Sequence, residues 1–162
     1  LDTDAINAAV ELLLGAERPG IFVGWGARGV TADIRRIAEH LGAPVATTLQ
    51  GLEVFPADHP LHTGMGFGPA SVPAAQNAFK SCDAMLAVGT RFAEIATGSY
   101  GAIPPEKLVH IDINPGALGR NYPTAVAINA DSRDAVPALA EALLGSGEAR
   151  DAEPLQTSIA ND

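Results

Sequence analysis

Basic residues, cysteines and long apolar runs are scarce in this chain, and each shortage excludes a class of protein. The chain has 162 residues, with 10 Lys and Arg against 19 Asp and Glu, which gives a net charge of −9. Such a chain repels phosphate backbones and anionic lipid surfaces, so we expect neither nucleic acid nor membrane as a partner. The one cysteine, Cys82, cannot form an internal disulfide, and no apolar run approaches the roughly 20 residues that span a bilayer. A cytoplasmic location is therefore expected.

Buried strands alternate with helical patterns along most of the chain. Residues 84–88 are a continuous apolar run and residues 108–113 are apolar apart from His110 and Asp112, which is typical of strands covered on both faces. Ile21–Val23 and the region around Val45 add shorter strands, and apolar residues at helical spacing lie between them. This alternation predicts an α/β fold: a Rossmann-like, doubly wound parallel sheet of five to six strands with helices on both faces.

The C-terminal end of the chain and one long segment within it lack such a pattern. We expect one domain over residues 1–147 and a linker or disordered tail over 148–162, within a longer polypeptide. Residues 49–69 carry little periodicity and are expected to form a long loop. Pro115 after Asn114 predicts a short helix that ends near Arg120.

A glycine pattern follows the first strand, where a parallel sheet binds its ligands. Residues 24–29 read GWGARG, the spacing of the dinucleotide fingerprint between a strand and a helix. That fingerprint expects an acid at the end of the second strand, where Thr48 stands instead. Three interpretations stay open: an NAD site, a tight turn without a ligand, and a phosphate contact of another nucleotide mode. Trp25 within the pattern suggests packing or an interface rather than a cofactor stack.

Polar residues after the other strands have two interpretations each. Arg91 suits a phosphate or a stacked ring, or an ion pair with Glu94. Asp112 suits a ribose or adenine contact, or the cap of the next helix, and Asp131 favours a helix N-cap.

The groups that catalysis or metal binding would need are not found together in the sequence. No histidine pair has metal spacing, and no serine stands in the Gly-x-Ser-x-Gly setting of a nucleophile. We therefore expect neither a metal site nor catalytic residues on this chain.

The order of four segments resembles the central domain of thiamine-diphosphate enzymes of the acetolactate synthase and pyruvate oxidase superfamily. These segments are RPGIFVGWGARG, APVATTLQGLEVFPADHPLHTGMGFG, CDAMLAVGTRF and KLVHIDINPGALGRNYPTAVAINAD, and the resemblance covers Arg18 to Leu144. It implies an oligomeric parent enzyme, a transferase or lyase that joins or decarboxylates 2-oxo acids. Flanking domains would hold thiamine diphosphate and Mg²⁺. The central domain would be inactive alone, with FAD, ADP or no ligand at its groove.

The resemblance also implies a set of cofactor-binding residues, all on the loops that follow strands. They are Gly24, Trp25, Gly26, Thr48, Leu49, Gln50, Gly68, Gly89, Thr90, Arg91, Asp112 and Ile113.

The chain departs from the flavin-binding pattern of this superfamily at three places. Met-His-Gly is replaced by residues 66–68, Asp-Asp-Arg by residues 93–95, and Gly-Asp by residues 130–131. Each charge-assisted hydrogen bond lost in this way contributes about 1.5 to 3 kcal/mol. FAD is thus weakened as a candidate and an ADP-like ligand is favoured less than FAD, so the departures favour a purely structural site, with both ligands left open.

Overall fold

The computed structural model describes all residues, 1–162, and contains one six-stranded parallel sheet. The strands are β1 (Pro19–Val23), β2 (Val45–Thr47), β3 (His62–Met65), β4 (Ala84–Val88), β5 (Lys107–Asp112) and β6 (Val126–Asn129). The helices are α1 (Thr3–Leu14), α2 (Thr31–Leu41), α3 (Pro73–Phe79), α4 (Ser132–Gly145) and α5 (Glu153–Asn161).

The strand order is β3-β2-β1-β4-β5-β6, which confirms the predicted doubly wound sheet. The chain winds outward from β1 to β3, then returns to place β4 on the other side of β1. The order therefore reverses between β1 and β4, and such a switch point opens a crevice at the carboxyl ends of the two strands. Both of these central strands are buried along their whole length, as their unbroken apolar runs predict.

Separate apolar clusters cover the two faces of the sheet. On one face, α1, α2 and α4 pack together over Ile21, Leu86 and Val109, the inward side chains of the central strands. On the other face, α3 and the segment between β4 and β5 enclose a smaller cluster around Phe22 and Phe92. Full burial of each large side chain contributes about 1.5 to 3 kcal/mol, so these two layers fix the sheet from which the loops project.

Three elements differ from the sequence-based expectation. The expected loop 49–69 contains a 3₁₀ helix (Leu49–Val54) and the edge strand β3. The expected short helix after Asn114 is wrong, because residues 115–119 form turns. Instead of a helix cap, the Asn114 side chain accepts a hydrogen bond from the amide of Gly116 at 2.9 Å.

The segment 148–162, expected to be a linker or a disordered tail, contains α5. Arg150, which precedes α5, is bonded to the domain: its guanidinium donates to the carbonyls of Leu14 and Glu17, at 2.9 and 3.3 Å. The backbone amide of Arg150 donates to the carbonyl of His40 at 2.9 Å. Because contacts with distant parts of the chain order this segment, its own sequence need not show a periodic pattern. A role as a linker stays a prediction.

None of the five helices combines the length and the hydropathy that a membrane crossing requires.

Candidate functional site

The carboxyl ends of β1, β2, β4 and β5 surround a groove made of two adjoining cavities. The larger, of about 500 Å³, is lined by Gly24, Trp25, Gly26, Thr48, Gln50, Gly89, Thr90, Arg91, Ala93, Ala96 and Asp112. The smaller, of about 240 Å³, is lined by Trp25, Gly26, Arg28, Gly89, Ile111, Asp112, Ile113, Asp131, Ser132 and Arg133. The groove thus brings together the implied cofactor residues with the exception of Leu49 and Gly68.

These two residues lie outside the groove for different reasons. Leu49 begins the 3₁₀ helix after β2 and is half-exposed beside the larger cavity. Gly68 lines a separate cavity with Phe67, on the face of the sheet that α3 covers. The α-carbon of Gly68 packs closely against Ala102, because a β-carbon on Gly68 would lie 2.6 Å from the α-carbon of Ala102.

The glycines of the first turn pack against the glycine that follows β4. A β-carbon on Gly26 would lie 2.7 Å from the α-carbon of Gly89, and one on Gly24 would overlap the Gly89 carbonyl oxygen. The amide of Gly26 donates to that oxygen at 3.0 Å. Two strand ends therefore meet backbone to backbone, and this contact accounts for the glycines without any ligand.

The helix start that the dinucleotide fingerprint uses for phosphate is displaced here. Residues 25–27 form a 3₁₀ turn, and α2 begins only at Thr31, which lines neither cavity. At the end of β2, the Thr48 side chain accepts from the amide of Gly51 at 3.0 Å, where an NAD site would offer an acid to the ribose. Neither feature of an NAD site is formed.

Arg91 reaches the larger cavity as an exposed cation. Its side chain forms no ion pair, so the alternative of a bridge to Glu94 is wrong. Its backbone is fixed, because the side-chain amide of Asn121 donates to the carbonyls of Arg91 and Phe92 at 3.1 and 2.9 Å. A guanidinium without a carboxylate partner on a fixed loop is suited to a phosphate.

Asp112 lies at the carboxyl end of β5 and lines both cavities. Its side chain accepts from the amide of Asn114 at 2.8 Å through Oδ1. Oδ2 has no hydrogen-bond partner within the protein, and Asp112 is 8% exposed. One oxygen thus orders the turn after β5 and the other is free to accept from a hydroxyl.

His110 supports the loop after β4 from below. Its Nε2 lies 2.8 Å from the carbonyl oxygen of Thr90, and a carbonyl only accepts, so Nε2 carries the proton. Burial lowers the pKa of His110, against the opposing effects of that carbonyl and of Asp112. A neutral imidazole therefore holds Thr90 at the floor of the larger cavity.

Trp25 stands where the two cavities meet. Trp25 is 55% exposed, and the guanidinium carbon of Arg28 lies 4.1 Å from the centroid of its ring. Nε of Arg28 is in turn 2.7 Å from a carboxylate oxygen of Glu53, on the 3₁₀ helix after β2. Trp25 therefore packs against Arg28 on the rim of the groove, and its role at an interface stays a prediction.

The start of α4 closes the smaller cavity. Asp131 is its N-cap, as predicted, and accepts from the amide of Arg133 at 2.9 Å. The Arg133 side chain, at 2.6 Å, and that amide lower the pKa of Asp131 to about 2. Ser132 donates through Oγ to the carbonyl of Gly26 at 2.6 Å and so ties α4 to the glycine turn.

Three polar residues of the groove were missed from the sequence: Arg28, Ser132 and Arg133. Arg28 lies inside the glycine pattern and could have been found there as a cation beside a possible phosphate. Ser132 and Arg133 lie far from that pattern along the chain, and only the pairing of β5 with β6 brings α4 to the groove. No group of three or more His, Cys, Asp or Glu side chains has the geometry of a metal site.

The strand order, the two-layered core and the glycine contact define the class of the protein as a Rossmann-like α/β domain. Residues 6–139 match the family described as thiamine pyrophosphate enzyme, central domain. The chain therefore belongs to this family.

Its relatives include acetolactate synthases of three kinds of organism. The chain is 38% identical over 142 residues to a probable acetolactate synthase large subunit of Methanocaldococcus jannaschii, covering 86% of this chain and 24% of that protein. It is 36% identical over 139 residues to the acetolactate synthase large subunit of Corynebacterium glutamicum, covering 84% of this chain and 22% of that protein. The chloroplastic acetolactate synthase 1 of Zea mays is 36% identical over 145 residues, with 89% and 23% covered. The chain thus spans less than a quarter of the length of these relatives.

Proposed function

We propose that this chain is the non-catalytic central domain of an acetolactate-synthase-like enzyme, and that its groove binds an adenine nucleotide of the FAD or ADP type. Nucleotide binding, the second part of this proposal, is supported by one observation: the groove is open at the switch point of the sheet. Phe67 and Phe92, which would fill it in a purely structural site, are buried in the core instead. Trp25 lines the groove without closing it.

The residues present fit the adenosine and diphosphate parts of such a ligand. The Oδ2 atom of Asp112 is available to a ribose hydroxyl, and the unpaired guanidinium of Arg91 is available to the diphosphate. Charge-assisted hydrogen bonds of this kind contribute about 1.5 to 3 kcal/mol each. In such a site this chain binds and orients the nucleotide and provides no acid, base or nucleophile to a reaction.

The reaction would belong to the rest of the parent enzyme. Thiamine diphosphate, when bound with Mg²⁺ by flanking domains, supplies the carbanion chemistry that joins or cleaves 2-oxo acids. The family and the short coverage of its relatives support this assignment. The parent would be a cytoplasmic transferase or lyase and a homo-oligomer, in which this domain packs against its neighbours through the carboxyl edge of the sheet.

Two measurements test the parts of this proposal separately. The parent enzyme, assayed with pyruvate, should lose activity on removal of thiamine diphosphate and Mg²⁺ and regain it when both are returned. Activity that is indifferent to both would contradict the assignment to such an enzyme.

Calorimetric titration of the protein with FAD, ADP and NAD tests the groove. We expect adenine nucleotide binding that Arg91→Gln weakens about tenfold, since this variant removes the charge and keeps most of the side chain. Arg120→Gln, on an exposed turn outside the groove, is the matched control. Binding of NAD alone, or no binding of any nucleotide, would contradict the nucleotide function.

A further inference from the structure

Two histidines beside the edge strand β3 pack against one buried aromatic ring. Phe55 is 1% exposed. Its ring centroid lies 4.8 Å from that of His59 and 5.9 Å from that of His62, the first residue of β3. The amide of His62 donates to the carbonyl of His59 at 2.9 Å, which closes the turn between them. The turn 56–61 and the start of β3 are thus packed around the same ring.

The two imidazoles differ in what their ring nitrogens contact. In His59, Nδ1 accepts from the amide of Leu61 at 3.2 Å, so Nε2 carries the proton. That Nε2 lies 3.1 Å from Oε1 of Glu39 on α2. In His62, Nε2 is buried from solvent and has no hydrogen-bond partner. A charge on His59 would therefore be paired, and a charge on His62 would not.

The charged side chains near this turn leave His62 without a counter-ion. They lie on α2, on the turn itself and on the 3₁₀ helix before it: Arg35, Glu39, Asp58 and Glu53. Glu39 is shared between Arg35, at 2.8 Å, and His59. Glu53 pairs with Arg28, and the charge of Asp58 acts on Arg35. The two elements that contact β3, which are β2 and α3, contain no titratable residue.

Protonation of His62 is therefore unfavourable in this site. A protonated imidazole donates from both ring nitrogens, so the cation would place the N–H of a charged group where neither an acceptor nor water reaches it. Burial lowers the pKa of His62 most, a backbone hydrogen bond with Ala57 opposes this effect, and the charge of His59 lowers the pKa further. In an open form the imidazole regains its ordinary pKa of about 6.5. Below that pH, the open form takes up protons in preference to the closed one.

Such an opening can be confined to the turn 56–61 and β3. This strand has four residues, lies at the edge of the sheet and pairs with β2 alone. The 3₁₀ helix before the turn has its own contacts, because Thr31 donates through Oγ1 to the carbonyl of Val54 at 2.8 Å. Gly51 of the same helix packs against the backbone of Gly24. The edge segment can therefore open while the 3₁₀ helix stays in place.

We propose that His62 is a pH-sensitive switch at the edge of the sheet: its neutral ring keeps the turn 56–61 and β3 packed on Phe55, and its protonation opens this segment while the rest of the sheet stays folded. Opening uncovers Phe55 and Leu61, which are buried in the closed form, so the open form is a minor population that grows as the pH falls. This inference goes beyond the proposed function and does not depend on it.

Hydrogen exchange followed by mass spectrometry tests the switch between pH 7.5 and pH 5.5. After correction for the intrinsic exchange rate, the protection of residues 55–65 should fall below pH 6.5 by up to about tenfold per pH unit, the limit for uptake of one proton. At each pH it should also be lower than the protection of residues 84–88, which open only when the whole sheet unfolds. Constant protection of residues 55–65, or protection equal to that of 84–88, would overturn the proposal.

Two substitutions distinguish His62 from the other histidines. His62→Phe keeps an aromatic ring beside Phe55 and takes up no proton, so the protection of residues 55–65 should lose most of its dependence on pH. His40 on α2 is the matched control, because its Nε2 is also buried without a partner. A fall in protection that persists in His62→Phe, or that disappears in His40→Gln, would overturn the role of His62.

A titration of the unaltered protein by NMR keeps the proposal testable if His62→Phe does not fold. The ring carbon signals of His62 should titrate with a midpoint below about 6.5, because the closed form disfavours the cation. A midpoint at or above 6.5 would show that the ring accepts a charge in its closed site, and would overturn the switch.

Discussion

Replacement of Gly89 by alanine should be among the most destabilising single-methyl additions in this protein. Gly89 has φ +60°, a left-handed conformation that costs an alanine about 1 to 2 kcal/mol. Its new β-carbon would also lie 2.5 Å from the amide nitrogen of Ala27 and would overlap the backbone of Gly26. Overlap with rigid backbone adds about 1 to 3 kcal/mol, so we expect a loss of about 2 to 5 kcal/mol. The total free energy of unfolding of a native domain is about 5 to 15 kcal/mol, so this loss would be a large fraction of it.

Two other glycines separate the two contributions. Gly119 has φ +69° with no atom within 4 Å of an added β-carbon, so Gly119→Ala should cost only the conformational part, about 1 to 2 kcal/mol. Gly24 has φ −115°, which alanine adopts without strain, but its β-carbon would overlap the carbonyl of Gly89. Gly24→Ala should therefore cost only the steric part, about 1 to 3 kcal/mol. All three variants reduce the entropy of the unfolded chain alike, so that effect cancels in the comparison.

The free energies of unfolding of the three variants, measured by urea denaturation at pH 7 with circular dichroism, test these expected losses. Equal m-values across the series are needed to show that the unfolded states are comparable. If Gly89→Ala loses no more stability than Gly119→Ala, the strand ends are not in close contact. A neutral Gly24→Ala would lead to the same conclusion from the opposite side of the contact.

Two further predictions concern polar groups away from the groove. Asp83→Asn should cost about 1 kcal/mol in urea denaturation, since the carboxylate accepts from the amides of Glu17 and Arg18 at 2.9 and 2.7 Å near the surface; an unchanged midpoint would refute this anchoring role. Burial lowers the pKa of His62, as it does for His110, so the unfolded chain takes up protons first as the pH falls below about 6.5. The unfolding free energy should decline from pH 7.5 to pH 5.5, and His62→Gln should reduce that decline; an equal slope in the variant would contradict it.

The central part of the fold could be predicted from the sequence because its strands are buried on both faces. The run 84–88 has only one stable environment, the middle of a parallel sheet, so it determines the class of fold as well as its own structure. The edge strand β3, His62–Met65, is partly exposed and contains glycine and polar residues. Pairing with β2 alone makes it a strand, and nothing in its own residues predicts that.

The groove was predictable where its residues follow strands and unpredictable where tertiary contacts bring them in. Gly24, Arg91 and Asp112 could be assigned to one edge because parallel strands share a direction. Arg28 packs on Trp25, and Ser132 bonds the glycine turn, through side-chain geometry that no spacing encodes. The helix expected after Asn114 failed because asparagine and aspartate can order a turn with their own side chains as readily as they cap a helix.

The mutual contact of the glycine turns has a consequence for how such domains change over time. Gly24, Gly26 and Gly89 are required by one another's backbones, whether or not anything occupies the groove. A lineage that stopped using a nucleotide would still be penalised for replacing any of them, so these glycines should outlast the ligand. Arg91 and Trp25 have no such structural duty and would be free to drift. We expect a surviving nucleotide site in this family to be recognised by its cation and its ring, and not by its glycines.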